Sequence, residues 1–142
     1  MTFVFDRPPV VVDASVIVEL VSEARPELAR VWTRWADQGR LCIAPAHLLP
    51  ETGNALLLSL GLQPGPAIEI IEGLEGSGLE IADRGLTGVI EAISLAHRHG
   101  LTVYDALYLQ LAVAVDATLA TYDKALVRAA RAEDIELEPL DG

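Results

Sequence analysis

Four acidic residues, Asp13, Glu51, Asp105 and Asp123, occupy positions from which carboxylates can do metal-assisted chemistry. Asp13 ends the β-branched run Val10-Val11-Val12, and Asp123 comes just after the run 117–120. Both runs read as buried strands, and in open parallel sheets sites form beyond the carboxyl ends of the strands. Glu51 falls in the first turns of an expected helix that follows a strand, and Asp105 falls at the start of another. The positive end of a helix dipole lowers the cost of gathering negative charge there. Four acids from separate strand ends and helix starts are thus directed at one end of the fold.

Like charges in one cleft repel. Two carboxylates roughly 5 Å apart cost on the order of 3 kcal/mol at an effective dielectric near 20. Either some stay protonated or a divalent cation sits among them. An all-oxygen donor set suits Mg²⁺ or Mn²⁺. Such an ion can lower the pKa of a bound water, orient it and neutralise charge developing on a phosphoryl oxygen, which is the chemistry of phosphodiester hydrolysis. His47, His97 and His99 are scattered and Cys42 is the single cysteine, so no softer site competes. The run around Cys42 is apolar, and a small buried hydrophobe is the better reading than a catalytic thiol.

The elements that must place these acids alternate between short apolar runs and helical patterns, the signature of a parallel sheet with crossover helices. Strands are expected at 10–12, 41–44, 79–81, 117–120 and 135–137, the last being short. Helices are expected at 14–21, 27–36, 47–60, 67–74, 86–99, 104–115 and 123–132. Pro64-Gly65-Pro66 reads as a turn, and Pro50 is tolerable only in the first turn of its helix. Tyr104, Leu107, Tyr108, Leu111 and Val115 form an expected apolar stripe.

With 142 residues the chain fits one domain able to bury a core without disulfides. The net charge of −11 argues against a general binder of phosphate backbone, though not against a nuclease whose cations are metal ions. It also suits storage against a basic partner. No apolar run reaches membrane-spanning length, and the segment 1–9 lacks the pattern of a signal peptide, so a cytoplasmic location is expected. A phosphatase would be expected to carry a second Asp after the first strand, where Asp13-Ala14-Ser15 has none, and no Walker-type phosphate loop is present.

The motifs resemble those of the PIN-domain family. Val11-Val12-Asp13-Ala14-Ser15 is similar to its strand ending in Asp-x-Ser/Thr, and Glu51-Thr52-Gly53-Asn54 to its Glu-x-x-Asn. The run 101–108, with Tyr104-Asp105-Ala106, matches the third motif, and the run 119–126, with Thr121-Tyr122-Asp123-Lys124, the fourth. The resemblance spans about residues 10–137 and is strongest toward the VapC toxin branch. It implies a three-layer α/β/α sandwich around a mostly parallel sheet of four to five strands, occupying 1–142 as a single domain. It further implies a Mg²⁺- or Mn²⁺-dependent endoribonuclease, acting as a toxin inhibited by a VapB-type antitoxin, and a homodimer. A catalytically inactive PIN module that binds RNA or protein is the alternative.

On that footing Asp13 and Asp105 are expected metal ligands. Glu51 is a ligand or the base for the attacking water, and Asp123 a ligand or only a helix cap. Ser15 and Thr121 are candidates to orient a carboxylate, and Asn54 lies one turn beyond Glu51. Lys124 and Arg128 are candidate contacts to RNA phosphates. His47 is expected to cap or lie at the surface, and Tyr104 and Tyr108 to be core or dimer contacts. Trp32, Trp35, Leu28 and Val31 read as core or, with Ile68, Ile71 and Leu74, as a groove for an antitoxin helix. Glu19, Glu23, Asp37, Glu69, Glu72, Glu75, Asp83, Asp116, Glu133 and Asp134 read as solvated surface.

Overall fold

The computed structural model describes residues 7–141, so the first part of the segment read for a leader, residues 1–6, lies outside the described residues. The elements run β1 (Val10–Val12), α1 (Ala14–Ser22), α2 (Glu27–Asp37), β2 (Cys42–Ala44), α3 (Leu48–Leu58), α4 (Pro64–Glu75), β3 (Leu79–Ile81), α5 (Gly85–His99), α6 (Val103–Val115), β4 (Thr118–Ala120) and α7 (Lys124–Ala132). The sheet has the order β3-β2-β1-β4, and every pairing is parallel. This is the α/β/α sandwich expected. Strands β1, β2 and β4 are buried at every residue, which accounts for their unbroken apolar sequence.

The central strands β1 and β4 end side by side, Val12 opposite Ala120, so Asp13 and Thr121 emerge at the same edge. The backbone N–H of Asp13 donates to the Ala120 carbonyl at 3.2 Å, which continues the ladder one residue past the strand. Helix α6 packs on α5, α7, β1 and β4. It is therefore buried on more than one face, at Ala106, Tyr108, Leu109, Gln110, Leu111 and Ala112.

Three expectations about elements need correction. Pro64-Gly65-Pro66 is the first turn of α4, not a turn before it. The first positions of a helix have no intrahelical use for their N–H groups, so both prolines are accommodated. The fifth strand is reduced to one parallel bridge, Leu119 to Leu137, on the outer side of β4. The single stripe on α6 also fails. Tyr104 is 68% exposed and Val115 42%, because a helix sandwiched between α5 and the sheet buries a belt of residues, not one seam.

Candidate functional site

Asp13 is the N-cap of α1 and only 5% exposed. Its Oδ1 accepts the backbone N–H of Ser15 at 2.9 Å, that of Val16 at 3.4 Å, and the Ser15 hydroxyl. Its Oδ2 accepts the Thr121 hydroxyl at 2.5 Å. No cation contacts it among the described residues. Burial raises its pKa to about 6, against the lowering pull of the Ser15 and Thr121 hydroxyls.

Thr121 and Ser15 join two strand ends. Thr121 Oγ1 also accepts the backbone N–H of Asp123 at 2.9 Å, and Ser15 Oγ accepts that of Tyr122 at 3.1 Å. Asp123 is the N-cap of α7, its Oδ1 accepting the Leu126 N–H at 3.0 Å. Asp123 thus caps α7, while its backbone N–H is tied through Thr121 to Asp13.

Asp105 lies in the first turn of α6, where its backbone N–H donates to the Thr102 N-cap hydroxyl at 3.1 Å. Burial raises its pKa and the nearby charge of Asp123 adds to this, while Thr102 and His47 act in the opposite direction. Glu51, in the first turn of α3, accepts the Tyr108 hydroxyl at 2.6 Å. Tyr108 is pushed well above its ordinary value by burial first, then by Glu51 and by the charge of Asp13. A chain of neighbours therefore runs from Asp13 to Tyr108 to Glu51, and from Asp105 to Asp123 and back through Thr121 to Asp13.

A depression of about 550 Å³ is lined by His47, Pro50, Glu51, Asn54, Thr102, Tyr104 and Asp105. It holds Asn54 beside Glu51 and Asp105, while Asp13 and Asp123 do not line it. Among the described residues no set of three His, Cys, Asp or Glu side chains is arranged to hold a metal ion. The donor chemistry nevertheless fits a hard divalent cation: the donors are carboxylate oxygens, and at least one of them, in Asp13, is buried without a countercharge.

The family model for the PIN domain matches residues 10–132. The chain belongs to the PIN-domain family. No curated protein matches this PIN domain. Solved structures do. PAE2754 from Pyrobaculum aerophilum superposes with a TM-score of 0.66 at 22% identity, covering 86% of this chain and 84% of that one. VapC20 of Mycobacterium tuberculosis, a Sarcin-Ricin loop cleaving toxin, superposes with a TM-score of 0.68 at 18% identity, covering 84% and 94%. FitAcB from Neisseria gonorrhoeae gives 0.57 at 23% identity, covering 92% and 97%. At these identities the likeness is one of fold.

Two residues of this PIN domain touch the site in ways the sequence did not reveal. Tyr108 is core by burial, yet its hydroxyl ends on Glu51. His47 makes no capping bond; its Nε2 donates to the Tyr104 carbonyl at 2.8 Å and lies 3.9 Å from Glu51 Oε1. A carbonyl can only accept, so the proton sits on Nε2. Neither tie could be read from spacing, because each spans 57 residues.

Glu133 is a correction to the surface acids. It sits between Arg98 Nη1 at 2.8 Å and His99 Nε2 at 2.7 Å, and its own side chain is largely covered. Lys124 and Arg128 lie exposed on α7, whose face they share with Arg131 at intervals of four and three. None of the three makes a salt bridge among the described residues.

Proposed function

We propose that this PIN domain is a metal-dependent endoribonuclease of the VapC toxin type, hydrolysing RNA phosphodiester bonds. The observation that carries this reading is the hydrogen-bonded network joining Asp13, Thr121 and Asp123 next to Asp105, with Asp13 buried and uncompensated. A buried carboxylate beside further acids stands at a cost, and a divalent cation is what relieves it. Asp13 and Asp105 would hold Mg²⁺ or Mn²⁺, with Asp123 contributing its uncapped oxygen. When bound, the ion supplies an acidified water and charge neutralisation at the phosphate.

The chain's own residues do the rest. Ser15 and Thr121 fix both oxygens of Asp13. Glu51 accepts the proton of the attacking water on the oxygen that Tyr108 does not hold. Lys124 and Arg128, with Arg131, form a cationic row running from the site along α7, suited to successive RNA phosphates in a chain otherwise strongly acidic.

Control by a VapB-type antitoxin is part of the proposal. Leu28, Val31 and Trp35 are core, whereas Ile68 stands 56% exposed. A groove of about 450 Å³ lies instead among Leu49, Ile71, Leu74, Leu79 and Ile81, flanked by Glu72 and Glu75. Apolar floor and acidic rim suit a basic, amphipathic segment. A homodimer is proposed on the exposed stripe Leu86, Val89, Ile90 and Ile93 of α5. No helix of the described residues is long and apolar enough to cross a membrane.

The second reading, a PIN module that binds RNA or protein without cutting, is favoured by the lack of a ready three-ligand set among the described residues. Cleavage decides between them. Purified chain incubated with RNA and Mn²⁺ should cut, and Asp13→Asn and Asp105→Asn should each abolish cutting while remaining folded. Equal cutting by either variant, after chelator treatment, rejects the assignment.

A further inference from the structure

We infer that Tyr108 is a positioning residue for the Glu51 carboxylate, and that with His47 it forms a reciprocal clamp between α3 and α6. The inference rests on the nuclease reading for its consequence in catalysis, though the clamp itself is a matter of geometry. Each helix contributes one side chain to the other. Tyr108 of α6 donates to Glu51 of α3 at 2.6 Å, and His47, at the N-cap position of α3, donates to the Tyr104 carbonyl of α6 at 2.8 Å. The two rings close the gap, with centroids 4.7 Å apart at 52°.

The clamp is not a by-product of helix packing. Helix α3 packs mainly on α1 and α4, and α6 on α5, α7 and the sheet. A buried tyrosine needs a partner for its hydroxyl, and any backbone carbonyl would serve. Here the partner is a carboxylate whose side chain is 40% exposed and which borders the depression shared with Asp105 and Asn54. A glutamate with three rotatable bonds at such exposure would otherwise sample many orientations. With Oε1 held, Oε2 has no protein hydrogen bond among the described residues and is the oxygen left for a ligand or a water. Because His47 grips the residue next to Asp105, the same clamp sets the separation of the Glu51 and Asp105 backbones.

The test uses the full chain as wild type, Tyr108→Phe, Glu51→Gln and the double variant, with Mn²⁺ and RNA. Single-turnover cleavage by Tyr108→Phe should fall about 10- to 100-fold with the KM for RNA unchanged. In the Glu51→Gln background the same change should add nothing, since its effect passes through that carboxylate. An equal loss in both backgrounds would mark Tyr108 as merely structural and overturn the inference, as would wild-type cleavage by Tyr108→Phe. A second arm needs no activity: ¹³C relaxation at the Glu51 side chain should report an ordered group in wild type and a mobile one in Tyr108→Phe. Equal mobility in both overturns the clamp. Wild-type protein that cuts no RNA yet shows the ordered-to-mobile change sinks the nuclease reading and leaves the clamp standing.

Discussion

The two ends of the sheet handle buried charge in opposite ways. At the amino end, ahead of β1, β2 and β4, Arg40 and Glu138 form a bidentate pair at 2.8 and 3.0 Å, both nearly buried. The remaining donors of Arg40 reach the Pro8 carbonyl at 3.0 and 3.1 Å and Thr118 Oγ1 at 3.3 Å, and Trp35 Nε1 donates to Glu138 at 3.2 Å. Burial works against the Glu138 charge, but the hydrogen bonds and charge of Arg40 hold its carboxyl below the usual value. At the carboxyl end Asp13 is as buried, is met only by neutral donors and has its pKa raised to about 6. One end is electrostatically complete and holds chain segments together. The other is left incomplete, the condition under which a cation binds.

The comparison breaks most sharply at Arg40. Arg40→Ala strands a buried carboxylate, and chemical denaturation should show a loss of about 3–5 kcal/mol. Cleavage per folded molecule should not change. At the other end the sign reverses. In metal-free protein at pH 7, Asp13→Asn should raise stability by on the order of 2–3 kcal/mol, because it removes a charge that burial disfavours. A large loss of stability in that variant would mean the site is not strained by its own charge.

The same contrast predicts a pH profile. An acid whose folded pKa is raised costs stability above its unfolded value, so the Asp13 penalty is relieved as pH falls from about 6 toward 4, and Asp105 acts in the same sense. An acid whose folded pKa is lowered contributes stability above its unfolded value and loses it as pH falls through the folded one, as Glu138 and Glu133 must. Metal-free stability should therefore rise on mild acidification and collapse only in stronger acid. The rise should shrink in Asp13→Asn to the part that Asp105 contributes. The smallest effect belongs to α7: Arg128→Ala should weaken RNA binding uniformly across sequences and reduce the salt slope by about one.

How much of this was legible in the sequence follows the range of the interactions. Val10–Val12 was bounded correctly because a buried parallel strand is an unbroken apolar run, whereas Leu79–Ile81, the edge strand with Glu80 exposed, shows only the alternation of a half-buried one. The places of Asp13, Glu51, Asp105 and Asp123 in the fold were legible because each sits at a strand end or helix start, a local feature. Pro64 and Pro66 misled because the same residues serve a turn and the opening of a helix, and only the chain that follows decides. Tyr108 was hidden because a tyrosine that packs and a tyrosine that packs and donates have the same periodicity. The Arg40–Glu138 pair, 98 residues apart, carries no sequence pattern at all.

The most direct test of the account is the thermal stability of chelator-treated protein titrated with Mn²⁺, wild type beside Asp13→Asn and Asp105→Asn. Binding to the native state should stabilise wild type by about 2.7 kcal/mol at a hundredfold excess over Kd, and leave both variants unmoved. A wild type whose melting temperature does not respond to Mn²⁺, or an Asp13→Asn variant that responds equally, would contradict the claim that the carboxyl end of this sheet is built to collect a divalent cation.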